Sequence, residues 1–251
     1  MTGWRSDLTS VRGFEARRGG GRSAAHSAIT FSGTVNVDRG GHLYREGEQS
    51  RAPYLVESGV LRVSVDAIGG RTRLFDLAGP GDILGTAALE DDLHAETVMA
   101  TEVGARLLVI DLGATLASRE GRMELTSGLV EQLVRSRELA DDLGLPMGAR
   151  ICRILARLAE RLGESSEAPV PGATRALRDS VPASSPSQWR HLPFSLTHDD
   201  VALLAGCARV TATRILGDLK EAGVLDGSRG DYALVPEALE AAADRYVCEV
   251  I

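Results

Sequence analysis

The chain has 251 residues, of which 43% are hydrophobic, 25% are charged and 4% are aromatic. This length suffices for two domains of ordinary size, and the composition is typical of a soluble globular protein. The formal net charge of −7 argues against a generally basic nucleic-acid coat protein, although a local basic face is still compatible with DNA binding.

The cysteines and the apolar runs limit the kinds of site that the chain can carry. Cys152, Cys207 and Cys248 lie far apart without CxxC spacing, which argues against a zinc site, an iron–sulfur cluster or a disulfide framework. No apolar run approaches the ~18 residues of a membrane span, and residues 1–27 lack the apolar core of a signal peptide. We therefore expect a cytoplasmic protein with no metal site and no membrane contact.

Residues 1–27 are rich in Gly, Arg and Ser and show no hydrophobic periodicity. We interpret them as a flexible basic arm. Such an arm is either a tail without function or a segment that contacts DNA or another partner.

Short alternating apolar segments separated by glycines fill residues 28–112. The segment VLRVSV alternates with a period of two, Ser58-Gly59 is predicted to be a turn, and Gly69-Gly70 is predicted to be a hairpin turn. Strands at this spacing are typical of a β-sandwich or a β-barrel. We therefore expect a β-domain in this part of the chain.

Residues 113–145 have a helical pattern, because apolar and small residues recur near heptad spacing. The pattern predicts one long helix that pairs with a second copy of itself, or alternatively a helix that packs on its own domain. Residues 146–163 are predicted to form a second amphipathic helix, and the Pro/Ser/Ala-rich residues 164–187 a disordered insertion. The side chains expected in the dimer interface are Leu125, Leu129, Gln132, Leu133, Ser136, Ala140 and Leu143.

The strongest functional signal lies in residues 188–251. Thr197 and Asp200 have the spacing of a capping box that opens a helix, and Gly206 permits a tight turn before a second helix. The segment DGSRGDYALV then reads as a β-hairpin. A helix-turn-helix followed by such a wing is a DNA-reading module.

The basic charge of this module is concentrated on its second helix, since no Asp or Glu occurs from Val201 through Gly217. An arginine there can donate two hydrogen bonds to one guanine, and threonines suit phosphate or the thymine methyl group. The side chains predicted to contact bases are Arg209, Val210, Thr213 and Arg214. Those predicted to contact phosphate are Thr211, Lys220 and, in the wing, Arg229.

The chain resembles the Crp–Fnr family of bacterial transcription regulators over about residues 28 to 250. The resemblance is carried by LTHDDVALLAGCARVTATRILGDLKEAGVL in the helix-turn-helix, and by HLYREGEQSRAPYLVESGVLRVS and DLAGPGDILGTAAL in the β-domain. It implies an α+β fold: an N-terminal double-stranded β-helix (a β-roll or jelly-roll) as sensor, a long dimerisation helix and a C-terminal winged helix-turn-helix. It also implies a homodimer that reads a palindromic operator in double-stranded DNA, allosteric control by an effector, and contact with RNA polymerase.

The stretch GPGDILGTAALEDDLHAET departs from the family pattern, in which it aligns with the phosphate-binding cassette of cyclic-nucleotide-binding relatives. Gly85 and Thr97 are retained, whereas Thr86 replaces a Glu and Glu96 replaces the phosphate-pairing Arg. Because a carboxylate at this position repels a cyclic phosphate, we expect neither cAMP nor cGMP to bind, and we predict no cofactor. The degenerate pocket is expected to comprise Gly85, Thr86, Ala87, Glu96, Thr97 and Ser136.

Alternatives remain open for the pocket and for the function. The pocket is either a relic in a dimer that binds DNA without an effector, or a site for another nucleotide, a metabolite or a cation. Haem is weakly indicated, because His42 and His94 are the only histidines of the β-domain. The rival function is a ligand-sensing β-roll that acts through protein contacts instead of DNA. An enzyme is not expected, since no nucleophile–base spacing, phosphate-binding loop or metal motif is found.

Overall fold

The structure is a computed structural model that describes residues 28–67, 71–90, 92–166, 189–228 and 230–248. The predicted arm, the Gly69-Gly70 turn, Arg229 and all but the first three residues of the predicted insertion lie outside these ranges. Within them, no helix has both the length and the apolar character needed to cross a bilayer.

An antiparallel six-stranded sheet forms the N-terminal domain. The strand order is β1-β6-β3-β4, with β2 paired to β6 and β5 paired to β3. Val56, Leu61, Val98 and Leu107 lie in its buried core, as period-two alternation predicts. The strands are β1 (Phe31–Val37), β2 (His42–Tyr44), β3 (Tyr54–Ala67), β4 (Arg71–Ala78), β5 (Ile83–Leu84) and β6 (Thr97–Ile110).

The turn predicted at Ser58-Gly59 is wrong, because β3 runs through both residues. Gly59 has a φ of 84°, and the register of β3 against β6 shifts between Gly59 and Leu61. A Cβ atom at Gly59 would lie 2.1 Å from the carbonyl oxygen of Gly104. Gly59 therefore lies in a β-bulge, where the backbones of two strands approach each other closely. A glycine in a bulge and a glycine in a turn look alike in the sequence.

The single helix predicted over residues 113–145 is divided into α1 (Leu112–Ala117), α2 (Arg119–Asp141) and a short 3-10 helix, Asp142–Gly144. Ser118 separates α1 from α2 with an extended backbone, and its hydroxyl oxygen accepts the Gly121 N–H at 2.8 Å. This contact is an N-cap, so the long helix starts afresh at Arg119.

The remaining elements build a helical domain with a second, four-stranded sheet of order β7-β8-β10-β9. Glu164 on β7 pairs with His191 on β8, so the insertion predicted to start at residue 164 is wrong in its first three residues. The elements are α3 (Met147–Leu162), β7 (Glu164–Ser166), β8 (Trp189–His191), α4 (His198–Ala205), α5 (Arg209–Glu221), β9 (Leu225–Ser228), β10 (Asp231–Leu234) and α6 (Pro236–Cys248).

One hydrophobic cluster joins the two domains. Ile151 and Leu155 of α3 pack with Leu216 of α5, and the same cluster includes Leu74 and Leu77 from β4. The β-domain and the C-terminal domain therefore share buried apolar surface. Together these features confirm the predicted α+β fold, with an antiparallel β-roll first, a long helix next and a helix-turn-helix region last.

Helix α2 packs one of its faces on its own β-domain. Leu125 is buried in a cluster with Ile83, Leu129 packs against that cluster, and the Gln132 side chain donates to the Ile83 carbonyl at 2.7 Å. Leu125 is therefore only 3% exposed and has almost no surface that a second copy of the chain could contact. Leu129 and Gln132 also make contacts within the chain. Leu125 therefore corrects the predicted dimer interface, whereas Leu129 and Gln132 are partly exposed and their place in it stays a prediction.

The exposed apolar side chains of α2 lie on another face of the helix. Met123 is 62% exposed, Val130 51%, Leu133 69% and Val134 51%. Val130 lies seven residues after Met123, and Leu133 and Val134 lie three and four residues after Val130, which places all four on one side of the helix. Of the predicted interface residues, Leu133 belongs to this face, Ala140 and Leu143 are also exposed, and the Ser136 hydroxyl donates to the Gln132 carbonyl.

Candidate nucleic-acid interface and ligand pocket

Local sequence signals determine where α4 begins and where it ends. The Thr197 hydroxyl oxygen accepts the Asp200 N–H at 3.1 Å, and an Asp200 carboxylate oxygen accepts the Thr197 N–H at 2.9 Å. This confirms the predicted capping box at the start of α4. Gly206 has a φ of 68°, a left-handed conformation that favours glycine and ends the helix with a tight turn.

The outward face of α5 presents most of the predicted DNA contacts to solvent. Val210 is 79% exposed, and the side chains of Arg209 and Arg214 are 67% and 70% exposed. Thr213 and Lys220 are also exposed, whereas Thr211 is half-buried. The opposite face is buried in the domain core through Ala212, Ile215, Leu216 and Leu219. An exposed basic face on the second helix of a helix-turn-helix has the arrangement that major-groove reading needs.

Polar partners that sequence reasoning missed surround this face. Asp199 lies 2.9 Å from Arg209, measured from Oδ2 to Nη1, and His198 Nδ1 lies 2.9 Å from the Thr213 hydroxyl oxygen. These contacts join two helices, so only the fold reveals them. Asp218, 3.6 Å from Arg214, could have been found from its i,i+4 spacing.

A chain of hydrogen bonds occupies the predicted ligand pocket. The Tyr44 hydroxyl donates to Glu96 Oε1 at 2.7 Å and accepts the N–H of Gly85 at 2.9 Å. The His94 ring stacks on Tyr44, with ring centroids 3.5 Å apart. Tyr44 and His94 are each 4% exposed, so the two rings fill the space beside Gly85.

The protonation states in this pocket follow from burial. Burial first, and then the neighbouring Glu96 carboxylate, raise the pKa of the Tyr44 phenol, which therefore remains a neutral donor. Burial lowers the pKa of His94, although Glu96 and Glu48 act in the opposite direction. The pocket thus contains a carboxylate held by a neutral phenol, beside an imidazole that burial keeps uncharged near neutral pH.

The other predicted pocket residues have separate roles. Gly85 has a φ of 70°, and a Cβ atom there would lie 3.1 Å from the Ala52 carbonyl oxygen. Thr86 begins the 3-10 helix Thr86–Leu89, which includes Ala87. The Thr97 hydroxyl oxygen accepts the N–H of Glu46 at 3.0 Å. Tyr44 was missed because it lies 41 residues before its partner Gly85 in the chain.

A metal centre finds no support in the part of the chain that the structure describes. Within it, no group of three or more His, Cys, Asp or Glu side chains could hold a metal ion. Of the histidines considered for haem, His42 lies 3.2 Å from an Arg45 guanidinium nitrogen, and His94 is stacked on Tyr44.

Family models match both halves of the chain. Residues 34–117 match the model described as the cyclic nucleotide-binding domain, and residues 149–242 match the Crp-like helix-turn-helix domain.

Several curated proteins are similar in sequence. The regulatory protein CysR of Synechococcus elongatus is 30% identical over 189 residues, which cover 73% of this chain and 77% of that protein. The CRP-like cAMP-activated global transcriptional regulator of Mycobacterium tuberculosis is 26% identical over 194 residues, covering 75% and 78%.

Solved structures share the fold. A CRP-family transcriptional regulator from Thermus thermophilus superposes with a TM-score of 0.64 at 22% identity, covering 85% of this chain and 98% of that one. A CRP/FNR-family regulator from the same organism gives a TM-score of 0.65 at 20% identity, covering 85% and 100%. The β-roll, the long helix, the exposed basic face of α5 and the sequence relatives agree. The chain belongs to the Crp–Fnr family of DNA-binding transcription regulators.

Proposed function

We propose that this protein is a sequence-specific regulator that binds a palindromic DNA site as a homodimer and reads each half-site with α5. The observation that carries the proposal is the face of α5 on which Arg209, Val210 and Arg214 are all exposed. Two arginines on one helical face can each bind a guanine edge in the major groove. A regulator of this kind acts where the chromosome is, so the expected compartment is the cytoplasm.

The exposed apolar face of α2 supports the homodimer. Met123, Val130, Leu133 and Val134 would lie in water in a single copy. The same face on a second copy, related by a two-fold axis, covers them and places the two α5 helices symmetrically. Two-fold symmetry in the protein requires a palindromic operator with half-sites about 34–36 Å apart.

The β-roll pocket is proposed not to bind cAMP or cGMP. The Gly85 N–H already donates to Tyr44, and Glu96 holds the Tyr44 hydroxyl. A cyclic phosphate would lose the N–H donor and meet the carboxylate. The protein therefore either binds DNA without an effector or responds to a ligand that is not a cyclic nucleotide. The residues that the structure describes do not identify such a ligand.

The experiment that tests the DNA-reading role compares Arg209→Ala with the wild type. A preferred site is first selected from a library of random duplexes, and dissociation constants are then measured on that site and on a scrambled duplex. Loss of one bidentate guanine contact costs about 1–3 kcal/mol, or about 5- to 150-fold, and relaxes the preference at one base pair. The scrambled duplex should be affected far less.

Arg245→Ala is the matched control, because Arg245 is exposed on α6 and carries the same charge away from α5. It should leave the preference at every base pair unchanged. Equal weakening of both duplexes by Arg209→Ala, or a wild type that selects no sequence, contradicts the proposed function.

A further inference from the structure

The N-terminus of α4 lies along the outward face of α5 and contacts it at two positions. Asp199, the second residue of α4, pairs with Arg209 at 2.9 Å. His198, the first residue, contacts Thr213 at 2.9 Å. Arg209 and Thr213 are four residues apart, one turn along the helix. The start of α4 therefore acts on side chains that are expected to face DNA.

Asp199 is attached to a rigid point of the fold. Its neighbour Asp200 closes the capping box with Thr197. The Arg62 guanidinium of β3 also donates to both carboxylate oxygens of Asp200, at 3.2 and 3.1 Å. The backbone at Asp199 is thus fixed from two sides, while its own carboxylate is 55% exposed.

The geometry leaves Arg209 able to bind Asp199 and a base at the same time. The guanidinium has five N–H donors, and the contact with Asp199 uses Nη1. A guanine edge needs two N–H groups, for its O6 and N7 atoms. Because the Asp199 carboxylate is paired with one side of the Arg209 guanidinium, it restricts the rotation of that group before DNA binds. Less conformational entropy is then lost when the base is bound.

The charge of Asp199 has a second consequence. In helix-turn-helix proteins the first helix crosses the DNA backbone. In the complex, a carboxylate at the start of α4 would therefore lie near DNA phosphates whatever the base sequence. It would weaken binding that depends only on attraction to the phosphates. The same side chain thus favours the correct base and disfavours random DNA.

We propose that Asp199 is a positioning residue that sets the sequence specificity of Arg209. This inference rests on the proposed function, because it requires Arg209 to read a base. It differs from the role of Asp218, which lies further from its arginine, at 3.6 Å, and on the same helix.

The test is Asp199→Asn, measured on three duplexes: the site selected by the wild type, that site with single base pairs replaced, and a scrambled sequence. Affinity for the scrambled duplex should rise, because a negative charge is removed. The preference at one base pair, the one that Arg209→Ala also relaxes, should fall about fivefold, at the low end of what one bidentate contact supplies. Asp199 is exposed, so the variant should melt at the wild-type temperature.

Asp244→Asn is the matched control, since Asp244 is exposed on α6 and loses the same charge. It should leave the base preference unchanged. If Asp199→Asn strengthens binding to all duplexes equally, or leaves the preference unchanged while Arg209→Ala relaxes it, the inference is wrong and the proposed function stands. If neither variant changes any base preference, the proposed function itself fails.

Discussion

At the residue scale, the proposal that the β-roll pocket does not bind a cyclic phosphate depends on Glu96. Its carboxylate accepts the Tyr44 hydroxyl, which in turn accepts the Gly85 N–H. A phosphate placed beside Gly85 would lie close to this carboxylate. Two unit charges 4 Å apart at an effective dielectric constant of 20 repel each other by about 4 kcal/mol. That cost is larger than one hydrogen bond repays.

We therefore predict that a large excess of cAMP leaves the thermal midpoint of the purified protein unchanged. A ligand that binds the native state at 100 times its dissociation constant stabilises it by about 2.7 kcal/mol, which is a measurable shift. The selected DNA duplex serves as the positive control, because it should raise the midpoint in the same assay. A clear shift with cAMP would show that Tyr44 and Glu96 move aside for the nucleotide.

At the element scale, α2 shows what periodicity reveals and what it leaves open. The heptad pattern correctly predicts a long helix, but apolar residues lie on two faces. Leu125 faces the β-domain and Leu133 faces solvent, and nothing in the local sequence ranks one face above the other. The β-domain decides this, because Ile83 covers the first face. Residues buried by tertiary contacts are therefore easy to mistake for an interface.

Leu133→Glu should dissociate the proposed homodimer without unfolding the protomer. Leu133 is 69% exposed in a single copy, so the protomer tolerates the charge, whereas a covered apolar face does not. Sedimentation velocity checks the mass, and circular dichroism checks the fold. Phe75→Glu is the control, since Phe75 is 49% exposed on β4 and should leave the mass unchanged. An unaltered dimer in Leu133→Glu would place the interface elsewhere.

The parts of the site that were predictable are those set by neighbours in the chain. The capping box of Thr197 and Asp200 spans three residues, and the exposed arginines of α5 follow from helical periodicity. The parts that were missed depend on distant contacts. Tyr44 reaches Gly85 across 41 residues, and Asp199 reaches Arg209 only after α4 and α5 cross. Periodicity gives the orientation of one element, whereas pairing between elements requires the tertiary fold.

At the scale of the whole molecule, buried charge pairs join the β-domain to the helices. Asp82, 7% exposed, pairs with Arg135 of α2 and, at 2.8 Å, with Arg161 of α3. At a second contact between the β-domain and the C-terminal domain, Arg62 of β3 pairs with Asp200 of α4 at 3.1 Å. Each pair joins the β-domain to a helix that follows it in the chain. The β-domain and the C-terminal domain are therefore joined by ion pairs as well as by shared apolar surface.

Because the Arg62–Asp200 pair joins the two domains, the stability that it contributes should decrease in acid. Burial alone would raise the pKa of Asp200, but hydrogen bonds from Arg62 and from the Thr197 backbone outweigh it and lower the pKa. A depressed native pKa stabilises the fold above the carboxyl's unfolded value near 4, and this stabilisation is lost as the pH falls through the native value.

Arg62→Leu should therefore cost about 2–3 kcal/mol at pH 7, the value of a hydrogen bond to a charged group in a largely buried setting. Its urea denaturation curve should approach that of the wild type only when the pH falls below the lowered native pKa of Asp200, where this carboxyl is protonated in both proteins. Arg106→Leu, which breaks the more exposed pair of Arg106 with Glu57, is the control and should cost less than about 1 kcal/mol. A loss of stability in Arg62→Leu that stays constant as the pH falls from 7 through the native pKa of Asp200 would mean that Arg62 contributes only through packing and its hydrogen bond to the Ser195 carbonyl.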